Sequence, residues 1–174
     1  MISGNKIVLK GITKESAPLI YQWVNREELR ALTGTRYPVS EYEHEEWVKR
    51  MATASDKKLC RICDKESDLP IGTIGLKNFD HVNSNADLFV SIGNPDYLAK
   101  GGYGSDAVAT LVEYCFRSLN LHKISLRVFE SNARAIRCYE KVGFVKEGVL
   151  IDQHFRDGAY ENVVAMGMIS PYGK

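Results

Sequence analysis

The sequence predicts an α/β protein, a mixed sheet with helices on both faces, and three observations carry that expectation. Short apolar runs rich in β-branched and aromatic residues alternate with segments whose apolar residues recur at helical spacing. Glycine-rich or polar turns separate them. The 174 residues, 44% hydrophobic and 26% charged, fit one globular domain over 1–174 that can bury a real core, with no room for a second.

In chain order, residues 6–12 read as a first strand. Thr13 or Ser16 starts a helix with Leu19, Ile20, Trp23 and Val24 on one face, and the polar residues 25–28 end it. Residues 29–39, with Gly34 and Pro38, read as a loop. Ser40 and Glu43 have the spacing of a capping box, in which each side chain satisfies a free amide, for a helix from Glu41 to about Ala54. Strands at 60–64 and 71–79 flank a turn at 65–70, and a second polar turn at 81–85 leads into a strand at 86–92. Residues 105–119 place Ala107, Val108, Leu111, Val112, Cys115 and Phe116 at helical spacing. A strand at 124–129 precedes a short helix that Ser131 or Asn132 can cap and Gly143 ends. Two last strands, about 145–155 and 160–169, turn at 156–158.

Composition excludes several classes. A formal net charge of +1 and a pI near 7.7, with no Lys/Arg run, provide no field for nucleic acid. No stretch approaches the ~18 apolar residues that cross a membrane, and the start MISGNKIVLK lacks the apolar core of a signal peptide. A cytoplasmic location is expected. Cys60 and Cys63 spell C-x-x-C, but on a strand residues three apart face opposite sides, and neither a second pair nor paired histidines follow. Reduced thiols and no metal are the expectation, with Cys115 and Cys138 packed in helices.

The stretch that organises the chemistry is Lys100-Gly101-Gly102-Tyr103-Gly104, between the strand at 86–92 and the helix at 105–119. Glycines there allow positive φ and close approach of a ligand. The first amides of the helix lack carbonyl partners, and with the helix dipole they suit a phosphate or pyrophosphate. A plain tight turn is the competing reading. No GK[ST] closes the loop and the G-x-G-x-x-G spacing is absent, so neither a Walker-type triphosphatase nor a dinucleotide fold is indicated. What remains is a nucleotide-containing ligand held by backbone, with the chemistry elsewhere.

Gly102-Tyr103-Gly104 opening a helix, then Asn132, Tyr139 and Gly143-Phe144, resembles the GNAT superfamily of acetyl-CoA-dependent N-acetyltransferases. The tail from Glu147 to Asn162 is similar to the branch holding spermidine and ribosomal-protein N-terminal acetyltransferases. The resemblance spans nearly the whole chain and is strongest after Asp87. It implies a mostly antiparallel sheet of six to seven strands, acetyl-CoA as cosubstrate, and direct attack of an amine on the thioester.

It also implies roles. Lys100, Gly101, Gly102, Tyr103, Gly104 and Ser105 would hold the pyrophosphate, although Ala99 stands where the family carries Arg or Gln, a contact Lys100 would take over. Val90, Ser91 and Ile92 would pair with the pantetheine arm, and Asn132 and Lys141 would add contacts to the cofactor. Tyr139 would be the general acid for the departing thiolate. Asp87, where polyamine acetyltransferases carry glutamate, would bind the substrate ammonium and relay its proton; His154 is a weaker base, and His44, His81 and His122 read as helix surface or loop. Glu41, Glu43, Glu45 and Glu46 read either as a solvated first turn favouring the helix dipole or as a sink for a polycation. The acceptor expected is a polyamine such as spermidine, the alternatives being a protein N-terminus or an amino sugar. A CoA-binding module without turnover is the alternative from another class, and a homo-oligomer is a further expectation.

Overall fold

Alternating burial makes the strands visible one by one: in β6 (Lys123–Phe129) Ile124, Leu126 and Val128 are buried while Lys123, Ser125 and Arg127 turn outward. The computed structural model describes residues 1–172, the Ala52 side chain excepted. The other strands are β1 (Ile2–Ser3), β2 (Ile7–Gly11), β3 (Lys58–Asp64), β4 (Pro70–Asp80), β5 (Asn85–Ile92), β7 (Val145–Arg156) and β8 (Ala159–Ile169). The helices are α1 (Ala17–Asn25), α2 (Glu27–Thr33), α3 (Glu41–Thr53), α4 (Pro95–Lys100), α5 (Tyr103–Ser118) and α6 (Ala133–Val142).

The strands form one sheet in the order β1-β2-β3-β4-β5-β6-β8-β7, antiparallel everywhere except between β5 and β6. The α/β class is thus as expected, and the sheet carries eight strands rather than six or seven. The extra one is β1, whose Ile2 and Ser3 pair with Leu9 and Val8. Two residues are too few to show a period.

Two helices stand where loop was expected. Glu27, Glu28 and buried Leu29 open α2, which ends at Gly34 in the left-handed region (φ 77°). Its seven residues make barely two turns, so the acids read as the end of α1. Asn94 caps α4 by accepting the Asp96 amide at 3.0 Å, and Pro95 begins it. The capping box of α3 forms as expected: Glu43 N–H donates to Ser40 Oγ, and Ser40 N–H to Glu43 Oε2 at 2.8 Å. His44, read as helix surface, is buried instead; its Nε2 lies 2.9 Å from the Ala17 carbonyl and its ring stacks on Trp47.

The main core packs α5 and α6 on one face of the sheet through Ile7, Ile62, Ile74, Leu88, Val108, Leu111, Ile124 and Met166. Each such side chain truncated to Ala would cost ~2–5 kcal/mol. On β3, Cys60 and Ile62 face that core, so Leu59 faces away, toward α3. A second apolar cluster, Ile20, Trp23 and Leu29 with Trp47, joins α1, α2 and α3.

What positions the site is the parallel joint. Asn85, Ala86 and Asp87 pair with Lys123, Ile124 and Ser125, and there the pairing stops. Beyond it β5 stays on β4 as far as Ile92, while β6 stays on β8 as far as Phe129. The sheet therefore splays, and alternate residues of the 88–92 run turn N–H and C=O groups toward a side with no strand.

Candidate active site

Three elements converge on the open side of the splay: the start of α5, the end of β5 and α6. Gly101 (φ 71°) and Gly102 (φ 84°) take positive-φ conformations open to glycine, which swing the chain from α4 into α5. The first amide of α5 to reach back is Asp106, which donates to the Gly102 carbonyl at 3.0 Å. The amides of Tyr103, Gly104 and Ser105 have no acceptor among the described residues and present three donors at the positive end of a sixteen-residue helix. This suits an anion such as a pyrophosphate. Gly104 faces the end of β5 and α6: a Cβ there would lie 3.7 Å from Ile92 and 3.9 Å from the Cys138 sulfur.

Cations flank this start. Lys100, exposed on the last turn of α4, holds its ammonium 4.5 Å above the Tyr97 ring. Tyr97 meets Tyr103 edge-on at 4.9 Å, and the Lys6 ammonium lies 5.3 Å from the Tyr103 ring centre. Lys6 was not singled out in the sequence, because only the fold brings the β1–β2 turn to this helix.

On α6, Asn132 Oδ1 accepts the Ala135 amide at 3.1 Å, so the cap role holds and its Nδ2 has no partner among the described residues. Tyr139 is 8% exposed, packs edge-on against Phe144 at 6.0 Å, and its hydroxyl makes no hydrogen bond among the described residues. Burial, with the neighbouring Cys138 thiol, pushes its phenol above the ordinary range and keeps the proton on oxygen. Lys141 is exposed in the last turn of α6. Val90, Ser91 and Ile92 occupy the free end of β5. Asp87 stands at the vertex of the splay, in the last pair to Ser125, and accepts Asn78 Nδ2 at 2.9 Å.

The other wall comes from α1 and α2. The Trp23 indole lies so close to Gly93, just past β5, that a Cβ there would overlap it. Arg26 donates to the Gly93 carbonyl at 3.0 Å, and Arg156 on β7 donates to the Ala31 carbonyl of α2. Arg156 also lies 3.3 Å from Glu161 and 5.8 Å from the Phe129 ring centre. His154 packs on Phe129 at 4.5 Å, and a Cβ on Gly34 would come within 3.1 Å of that same ring. α2 is thus tied to β5 at one end and to β7 at the other, across the mouth of the splay.

Two of the four acids at the start of α3 are held by local partners. Glu43 is taken by the capping box, where bonds from Ser40 hold its carboxyl below the usual range. Glu46 pairs with Lys49 at 2.8 Å, while Glu41 and Glu45 are exposed. Their link to the site is indirect: Asn25 bonds the Val39 backbone in both directions, at 2.8 and 3.0 Å, joining the start of α3 to the end of α1.

Residues 6–145 match the family model described as an acetyltransferase (GNAT) domain. The chain belongs to the GNAT acetyltransferase family. It is 28% identical over 167 residues to the spermidine N(1)-acetyltransferase of Escherichia coli K12, covering 95% of this chain and 87% of that one. It is 27% identical over 169 residues to the aminoglycoside N(6')-acetyltransferase type 1 of Klebsiella pneumoniae, covering 85% and 78%. The spermidine N-acetyltransferase of Vibrio cholerae, solved in complex with CoA and spermine, superposes with a TM-score of 0.86 at 25% identity, over 95% of this chain and 96% of that one. The GNAT protein is therefore an acyltransferase. Among its described residues no helix is long and apolar enough to cross a membrane, and no group of three or more His, Cys, Asp or Glu is arranged for a metal.

Proposed function

We propose that the protein, as one domain over 1–174, transfers the acetyl group of acetyl-CoA to a primary amine, and that the amine is a polyamine such as spermidine. The observation that carries this is the splay: a phosphate-ready helix start opens beside strand backbone left without a neighbour, with a protonated phenol beyond. Acetyl-CoA supplies the activated thioester. Backbone amides from Gly101 to Ser105 hold its pyrophosphate, Val90, Ser91 and Ile92 pair with the pantetheine arm, and Asn132 and Lys141 contact the remainder.

Positioning supplies much of the rate. The amine arrives as an ammonium of pKa about 10 and must lose a proton before its nitrogen attacks. Asp87, at the vertex, binds that ammonium and passes the proton toward solvent. The C–N bond forms as the C–S bond breaks, and Tyr139 gives its proton to the departing sulfur. For a polycation, the free carboxylates Glu41 and Glu45, with Glu46, raise the local concentration, while Glu43 serves the cap. The names of the E. coli and V. cholerae relatives support the polyamine. Action in the cytoplasm and assembly into a homo-oligomer complete the reading.

The test is thiol release from acetyl-CoA with spermidine, spermine, an N-terminal peptide, an aminoglycoside and an amino-sugar nucleotide. Rapid release with the polyamines alone is expected. Preference for the aminoglycoside would move the acceptor to the class of the K. pneumoniae relative.

A further inference from the structure

The cations around the cofactor loop are divided in a way that residue order hides. Ala99 has no side chain able to meet an anion, and Lys100 is turned onto the Tyr97 ring. The Lys6 ammonium stands 3.2 Å from where a Gly102 Cβ would be, in space that a glycine at φ 84° leaves clear. Among the described residues it lies within 4 Å of no carboxylate, and it rests over the Tyr103 ring at 5.3 Å from its centre.

Its base is rigid. Asp106, on the first turn of α5, accepts the Asn5, Lys6 and Ile7 amides at 3.2, 2.7 and 3.2 Å, and the Lys6 carbonyl accepts the Lys65 amide at 2.9 Å. The β1–β2 turn is therefore fastened to the same helix whose free amides open beside Gly102. The Asp106 oxygens are engaged by three backbone amides, and the carboxylate makes no ion pair with the Lys6 ammonium among the described residues. An unpaired cation and three unpaired amides thus share one small region.

We propose that Lys6 is the side-chain cation of this cofactor site, its ammonium pairing with the pyrophosphate of acetyl-CoA in place of the contact that Ala99 lacks. The inference rests on the acetyl-CoA reading above. The loop then holds its anion from two sides, with backbone dipoles along the helix axis and a point charge across it.

Calorimetric titration of the whole protein with CoA tests this directly. Lys6→Ala and Lys6→Gln are each expected to weaken CoA binding about tenfold, the size of one charge-assisted contact partly screened by water. Lys6→Arg is expected to restore most of it, a recovery that a merely structural role would not show. With 3'-dephospho-CoA the same ratio between wild type and Lys6→Ala is expected, because the pyrophosphate remains. Unchanged affinity in both Lys6 variants would overturn the assignment, as would a ratio that collapses with 3'-dephospho-CoA. Failure of the wild type to bind CoA would overturn the acetyl-CoA reading itself.

Discussion

Tyr139 combines two demands in one side chain: a ring sealed in the core and a hydroxyl without a hydrogen-bond partner among the described residues. Removing only the hydroxyl should leave the packing intact. Tyr139→Phe is expected to lower kcat by roughly 100-fold or more while CoA affinity stays the same, read by steady-state rates beside calorimetry. Burial raises the phenol's pKa, so the rate should climb with pH as the amine deprotonates and show no falling limb from Tyr139 up to pH 10. Such a limb in the wild type that vanishes in the Phe variant would contradict this. Gly93 makes a complementary case, since the Trp23 indole fills the space of its missing side chain. Gly93→Ala should force the indole off the end of β5, costing ~1–3 kcal/mol in chemical denaturation. The helix carrying Tyr139 and its Asn132 cap were legible because their signals are local, while the roles expected of the two side chains came from the family resemblance. Gly93 and Lys6 were not, since each owes its role to a residue remote in sequence that only the folded sheet brings near.

At the scale of elements, α2 ties the end of β5 to β7. Its C-terminal half hangs on Arg156 and its N-terminal cap residue on Gly93. Arg156→Ala should release the β7 end, raising the KM for the amine several-fold with CoA affinity unchanged, since the cofactor loop is built by other elements. An equal loss of CoA affinity would show instead that the two sides are not separable. The capping box of α3 could be read in the sequence because its signal is four residues long. By contrast, α2 and α4, seven and six residues long, are too short to display a helical period. The acids of α3 were visible as a group, yet only the coordinates assign Glu43 to the cap and Glu46 to Lys49.

Across the whole molecule, the sheet order and its opening follow from one short parallel joint, which no local pattern announces; the alternation of strands and helices pointed to the class and not to where pairing ends. The same core sets the chemistry of the thiols. Cys60, Cys63, Cys115 and Cys138 are free, and burial raises every one of them. Cys115, fully buried, is pushed from an ordinary value of 9.0 to about 12. Below pH 9 that thiol is neutral in both folded and unfolded chains, so its contribution to stability is intact. As pH rises from 9 toward 12 the unfolded chain ionises first and stability falls. Cys115→Ala should flatten that alkaline loss in urea melts between pH 8 and 11, and the native protein should alkylate at Cys115 only as fast as it unfolds. The splay has its own signature in time. Wherever β5 has parted from β6, every second amide of the 88–92 run is left to water, so deuterium should enter there with a two-residue rhythm: fast, slow, fast. A cofactor arm laid along that strand would erase the rhythm, and the erased positions would trace its path without a crystal.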